Sequence, residues 1–414
     1  MRTITYLISL LFVFFIPWEG VVELPGLGTA TKLIGFVLAA FWLAAVVITG
    51  RFRKPDPFHI VVTIFVLWNA VSIFWSANPG KTVTHLQTWA QILVLVFIMW
   101  DLYDTRTALL SALQMFVLGE YVAIGYAISN FASGNVYYTT YQRFSPAGQT
   151  NPDGFGFILA LGIPVAWYLA SSSNIGGKWS GLLKIVNYAY IPAAFLGISL
   201  SGTRTALLAS IPAMAFGIAS LARLRLWARV AIFLVFVAAI FISLPYLQTL
   251  TSFQRFSTIG AELGEGDLNQ RSGIWSDGLA AFAERPLVGV GSNMYRSVNS
   301  LGKLAHNSFI SVLVEVGLIG FALFGIILTL AVLQALGQPK WDKRFWLTFL
   351  AVWVIGASSL SWEFRKPTWL LLSLMVVSGA LASRHVEASS IIQRNEPTDH
   401  FLRSANMNKL PQGE

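Results

Sequence analysis

The sequence predicts an all-α polytopic membrane protein with about twelve transmembrane helices and one long outer loop containing short helices. Three observations predict it. Of the 414 residues, 55% are hydrophobic and only 11% are charged, with a mean hydropathy of +0.64. A soluble domain carries about a quarter charged residues to make its surface. The composition therefore excludes an ordinary soluble enzyme, a disordered chain and a nucleic-acid-binding domain. The second observation is a series of apolar runs, each near the roughly 20 residues that cross a bilayer. The third is the sorting of basic residues between alternate loops.

The runs fall at 4–16, 31–49, 59–75, 86–100, 107–130, 154–171, 185–200, 204–221, 229–246, 307–336, 343–360 and 368–383. The first reads as a retained helix and not as a signal peptide. Met1-Arg2-Thr3 carries one charge, and Ile16-Pro17-Trp18-Glu19 is a poor small-residue cleavage site. With the N-terminus inside and the runs alternating, 17 of the 28 Lys and Arg fall on the inner side. They include Arg2, Arg51, Arg53, Lys54, Arg106, Lys340, Lys343, Arg344 and the tail beyond residue 383. Both termini are then cytoplasmic. The net charge of +9 fits inner loops facing anionic lipid. The absence of cysteine excludes disulfides, thiolate metal sites and cysteine nucleophiles.

The remaining basic residues lie on the outer side: Lys32, Lys81, Arg143, Arg204, Arg255, Arg271, Arg285, Arg296, Lys303, Arg365 and Lys366. Six of the arginines gather in three places, the loop after the fifth run, the start of the eighth and the long loop after the ninth. Arginine is preferred where planar, bidentate phosphate binding is wanted, so the set points to an anion site.

The outer segment 247–305 is far longer than a connector, and loops of that length are usually functional or disordered. Its first part, Gly260 to Asp267, reads as flexible. The acids Glu262, Glu265 and Asp267 interleave with small residues and read as solvated loop acids, with no metal site implied. From Ser272 to Glu284, apolar Ile274, Trp275, Leu279, Phe282 and Ala283 follow helical spacing, with Pro286 beyond. A short lid helix on the membrane surface is expected. If it reaches back one residue, Arg271 and Trp275 share a face.

His306 ends this loop just before a long apolar helix. Two readings stand. Asn307 or Ser308 caps the helix and His306 only snorkels, or His306 is a general base, since imidazole titrates near neutrality. No other histidine belongs to the loop. His85 is outer but has no arginine beside it in sequence. Glu120 and Glu315 sit within apolar runs, and Glu315 is expected to pair with another helix.

Four segments carry a resemblance: Leu200-Ser201-Gly202-Thr203-Arg204-Thr205-Ala206; Arg271-x-x-x-Trp275 followed by Pro286-Leu287-Val288-Gly289-Val290-Gly291; His306-Asn307-Ser308-Phe309 with Glu315-Val316-Gly317; and the upstream run from Arg143 to Asp153. In order and spacing, over roughly 143 to 325, they resemble the O-antigen ligase and O-antigen polymerase superfamily. One departure is Asp153, where the family more usually has Asn.

The resemblance implies a GT-C-like glycosyltransferase of the bacterial inner membrane with its site, and the long loop with its short helices, facing the periplasm. The donor would be a glycan on undecaprenyl pyrophosphate. The acceptor hydroxyl would belong to lipid A-core in ligases, to another lipid-linked repeat in polymerases, or to a protein. No cofactor or metal is implied, and the partners beyond donor and acceptor are the lipid bilayer and no nucleic acid. It also implies His306, Arg271 and Arg204 as catalytic, and Arg143, Gln149, Asn151, Trp275 and Asn307 as substrate-binding. A domain reading follows: 1–142 N-terminal helices, 143–336 catalytic core, 337–383 C-terminal helices and 384–414 cytoplasmic tail. The polymerase of an exopolysaccharide or O-antigen and the ligase stay unseparated at this level. A transporter of lipid-linked sugars is the alternative from another class, but no internal repeat supports it.

Overall fold

A computed structural model describes residues 1–26, 28–137, 142–147, 150–172, 177–222, 225–248 and 271–395. The helices are α1 (Arg2–Phe15), α2 (Ala30–Thr49), α3 (Pro57–Val71), α4 (Pro79–Leu102), α5 (Arg106–Ala132), α6 (Pro152–Ser171), α7 (Ser180–Ser201), α8 (Arg204–Leu221), α9 (Leu226–Gln248), α10 (Arg271–Glu284), α11 (Ser308–Leu336), α12 (Lys340–Ala357) and α13 (Lys366–Asn395). Each apolar run of the sequence falls on one of them. Among the described residues, eight are long and apolar enough to cross a membrane, and α1 and the start of α8 are shorter apolar helices. Charges at Lys340, Asp342, Lys343 and Arg344 crowd the first turns of α12. The all-α expectation needs one small correction. A two-residue antiparallel hairpin, β1 (Glu23–Leu24) and β2 (Gly28–Thr29), joins α1 to α2.

The helix starts are written in the sequence. Thr29, Asp56, Asn78, Thr105, Asn151 and Asn307 are N-caps, and each side chain accepts a hydrogen bond from a backbone N–H of the first turn. Helix α6 is the centre of the bundle. Every residue from Phe155 to Ala170 is buried, against α5, α7, α8 and α12. A helix that is apolar all round is stable only when enclosed in this way.

At the end of the bundle away from His306, charges tie helix ends together. Arg2 pairs with Asp101 at 3.0 Å, and Arg106 holds both oxygens of Asp342 at 2.8 and 3.0 Å. The Arg53 guanidinium lies 3.4 Å from the centre of the Trp100 ring.

Of the long segment 247–305, residues 249–270 lie outside the described residues, and with them Arg255, Glu262, Glu265, Asp267 and the Gly260–Asp267 stretch. The expected helix is present as α10 and does begin at Arg271. It packs on the first part of α11 through Ile274, Tyr295, Ala305 and Val314. Burying an isoleucine-sized side chain contributes roughly 1.5–3 kcal/mol. Helix α11 is broken at Gly317, which has φ +67°. The turn that follows α10, from Pro286 to Gly291, lies across this break. Val290 and Gly291 N–H donate to the carbonyls of Val314 and Glu315, and Leu318 and Ile319 N–H donate to those of Pro286 and Leu287, at 2.8–3.2 Å. A side chain at Gly317 would collide with the Leu287 carbonyl, so the close crossing requires glycine. The break leaves helical carbonyls unpaired, and the loop supplies their donors.

Candidate active site

The site grows from four helix starts, those of α6, α8, α10 and α11, and one loop. One is the junction of α7 and α8. Gly202, at φ +59°, ends α7 in the left-handed region, and its N–H donates to Ile198 and Ser199 carbonyls at 3.1 Å. Thr203 N–H donates to Ser201 Oγ at 3.2 Å, and Thr203 Oγ1 donates to the Pro152 carbonyl at 2.9 Å. This turn leaves Arg204 as the first residue of α8, half-buried. On α6, Gly156 makes room, because a Cβ there would meet Ser201 and Thr203 at 2.6–2.8 Å.

Arg143 clasps the junction to the start of α6. Its Nε donates to the Ser201 carbonyl at 2.7 Å, and its Nη2 donates to Thr203 Oγ1 at 3.2 Å and to Asp153 Oδ1 at 2.5 Å. The side chain is 5% exposed. These bonds hold Nε and Nη2 on protein acceptors, so Arg143 ties the junction to α6. Asp153, the departure from the family pattern, is thus the counter-charge of a buried arginine. Asn151 caps α6 by accepting from Asp153 N–H at 2.9 Å. Gln149 lies outside the described residues.

The second half of the site is α10 with the segment 286–307. Trp275 Nε1 donates to the Ala305 carbonyl at 2.7 Å, and Tyr295 Oη donates to the Ile274 carbonyl at 3.0 Å. Asp277 accepts from Ser300 N–H and Oγ, both at 2.9 Å. Glu315 does not pair with a side chain of another helix, as the sequence led us to expect. Its carboxylate accepts from the backbone N–H of Asn293 at 2.8 Å and of Tyr295 at 3.2 Å, so it braces the loop.

His306 is held between two pinned neighbours. Ala305 is fixed by Trp275. Asn307 caps α11, accepting from Phe309 and Ile310 N–H at 2.9 and 3.1 Å, while its Nδ2 donates to the Ser358 carbonyl at 3.1 Å. Asn307 is therefore the cap, and its polar atoms serve the fold. His306 itself has φ +49°, a conformation that costs a non-glycine residue energy and persists only where the surroundings impose it. Its imidazole pKa lies below the ordinary histidine value. Burial is the main cause, the Arg271, Lys303 and Arg296 charges add to it, and Asp153 opposes it. His306 thus stands within electrostatic reach of both Arg271 and the Arg143–Asp153 pair, although these motifs are far apart in sequence.

A cavity of about 340 Å³ opens beside His306. Asn151, Glu19, Trp362 and Arg365 share its walls; Arg204, Arg271, Trp275 and Asn307 do not line it. Arg365 escaped the sequence reading as a site residue. Its side chain is exposed and lines the cavity, and desolvation by the surrounding protein lowers its guanidinium pKa against the raising charges of Glu19 and Glu363. Glu363 beside it is buried, which pushes its carboxyl up to about 7 despite hydrogen bonding from Ser311 and Ser308. The only hint was the charged run Glu363-Phe364-Arg365-Lys366 between two apolar helices. His85 does have an arginine near it in space. Its ring meets Phe364 edge-on at 5.1 Å, and Arg365 lies over that same phenyl ring. His85 Nδ1 is 3.0 Å from Ser292 Oγ, which donates to Asn69.

Residues 189–325 match the family model described as O-antigen ligase. The match runs from α7 into α11 and includes Arg204, Arg271, Trp275, His306 and Asn307. Over this region the chain is similar to the O-antigen ligase family, in line with the resemblance its motifs carry. Among its relatives is the exopolysaccharide production protein ExoQ of Rhizobium meliloti (strain 1021), 24% identical over 293 residues, or 66% of this chain. That alignment spans 64% of ExoQ, slightly under two thirds of its length. Arg143, Asn151 and Asp153 precede the matched family region, yet the structure joins them to it through Ser201 and Thr203.

Proposed function

We propose that this protein is a member of the O-antigen ligase and polymerase superfamily and a glycosyltransferase of the bacterial inner membrane, polymerising a surface polysaccharide such as an exopolysaccharide or O-antigen. The donor is a glycan on undecaprenyl pyrophosphate, and the acceptor is a hydroxyl of another lipid-linked repeat. The chain crosses the membrane twelve times, with both termini cytoplasmic and the His306 end facing the periplasm. One observation carries the reading: a strained histidine of lowered pKa, pinned on both sides, stands near Arg271 at the mouth of a sugar-sized cavity. The name of the relative, exopolysaccharide production protein, supports polymerisation.

The chemistry follows from these groups. Neutral His306 takes the proton of the acceptor hydroxyl as its oxygen attacks the anomeric carbon. The bond from that carbon to the pyrophosphate oxygen breaks, and the electron pair leaves with the lipid pyrophosphate. Arg204 and Arg271 neutralise the charge that builds there. Both stand at the first position of a helix, where backbone N–H groups also favour anions. His306 then releases its proton to solvent. Fixed guanidinium groups act best in such a partly enclosed site.

The family model's description, O-antigen ligase, favours a second reading in which the acceptor is lipid A-core. Purified protein in lipid, given lipid-linked repeats alone, separates the two. A ladder of products supports the polymerase. Silence until lipid A-core is added supports the ligase. No transfer to either acceptor contradicts both.

A further inference from the structure

A second hollow lies on the same end of the bundle, between α1, α2 and α4. It holds about 420 Å³. Its floor is apolar, with Phe12, Leu38, Val94 and Ile98 among its walls, and it exists because Gly35, Ala39 and Ala90 lack the bulk to close the space between helices. From Gln87 to Ile98 it follows α4 for roughly 16 Å at 1.5 Å per residue. Polar groups gather at one end only. Lys32 and Lys366 stand where α2 and α13 begin, with Gln87 nearby and Gln91 one turn further in.

Of these polar groups, Lys366 is paired with Glu19, and the other three are poorly served by the protein. Among the described residues, the side chains of Lys32, Gln87 and Gln91 form no hydrogen bond or ion pair. Carboxamides and an ammonium at the edge of a hydrocarbon layer are costly unless a partner meets them. A groove that is cationic and amide-lined at its mouth and apolar below is complementary to one class of molecule, an anionic headgroup on an apolar chain. The mouth also adjoins the His306 cavity. Lys366 lines the groove, Glu19 lines the cavity, and the two form an ion pair. Arg204 and Arg271, assigned above to the donor pyrophosphate, line neither hollow.

Resting on the glycosyltransferase reading, we infer that the α1–α2–α4 groove holds the lipid anchor of the acceptor, a single polyprenyl-type chain. Its phosphate group lies at Lys32 and Gln87, and its glycan passes the Lys366–Glu19 pair into the His306 cavity. The enzyme then binds two lipid-linked molecules at once, the donor at the arginines and the acceptor here.

Photo-crosslinking tests this without requiring turnover. The probe is farnesyl diphosphate with a terminal diazirine, offered to the full chain in nanodiscs of phosphatidylglycerol and phosphatidylcholine, with the matching farnesol probe as uncharged control. We expect labelled peptides from α2 and α4 around Ala39 and Val94, with the farnesol probe giving much less. Lys32→Glu should weaken labelling roughly tenfold, since each basic residue near the surface contributes measurably to anionic headgroup binding. Ala90→Phe, at an exposed position that tolerates bulk, should block labelling by filling the groove. Labelling spread evenly over lipid-facing helices, equal labelling by farnesol, or full labelling of Ala90→Phe overturns the proposal. If the groove labels as expected while no glycan transfer is ever found, the site stands and the enzymatic reading fails.

Discussion

The indole of Trp275 donates a 2.7 Å hydrogen bond to the carbonyl of Ala305, the residue immediately before His306. Thirty residues of loop are closed by that contact, and it fixes the backbone from which the imidazole projects. Trp275 thus works as a positioning residue. Trp275→Phe keeps the ring and loses the donor. Loss of one such bond costs about 0.5–1.5 kcal/mol of stability, whereas an imidazole displaced by an ångström costs about 10²-fold in rate. We expect near-normal abundance with kcat reduced far more than KM is raised. Unchanged kcat in reconstituted protein would show that the indole bond does not position His306.

Asp153 is the counter-charge of a nearly buried arginine. Asp153→Ala leaves the Arg143 guanidinium without it, and breaking a buried pair by removing one partner costs about 3–5 kcal/mol, less here because Asp153 is part-exposed. Thermal unfolding of the detergent-solubilised variant should show a clear loss of stability. Asp153→Asn, which keeps an acceptor, should lose less.

Gly317 carries the break in α11. Alanine there must adopt a positive φ and meet the Leu287 carbonyl. Gly317→Ala should lower abundance and destabilise by more than about 1 kcal/mol, the usual size of a glycine effect at a compatible site. Gly325→Ala, where a Cβ meets nothing within 4 Å, is the matched control and should be harmless.

The pH profile has a defined sign. The His306 pKa is lowered in the folded protein, chiefly by burial and then by Arg271. The neutral base therefore persists below the ordinary histidine range, and the acid limb of kcat/KM should fall below about pH 6.5. The same shift contributes stability that is present above the ordinary value and lost as the pH falls through the folded pKa. Arg296→Gln removes one lowering charge and should move the acid limb upward. A limb at or above the ordinary value in the wild type would contradict the burial and charge pattern around the imidazole.

The helices were legible because each apolar run coincides with a helix, and their starts because Asn, Asp and Thr occupy the caps. Helix α10 was legible from the spacing of Ile274, Trp275 and Phe282. The break at Gly317 was not, since a lone glycine in an apolar run looks like any other helical glycine and only the crossing at Leu287 demands it. The hold of Arg143 on Ser201, Thr203 and Asp153 was not legible, because sequence shows its charge and not its partners. Arg365 entered the His306 cavity through contacts between the two ends of the chain, with Glu19 and Trp362 on the same wall. No periodicity encodes such contacts.

The most direct test is turnover by His306→Ala in reconstituted membranes, measured together with abundance and donor binding. Loss of a general base costs about 10²–10⁴-fold in rate, and Asn307, not His306, caps the helix. The account predicts a normally inserted, normally abundant protein that still binds lipid-linked donor and transfers almost nothing, with His306→Gln no better. Transfer at near wild-type rate, or a variant that fails to fold, would contradict the assignment of His306 as the base.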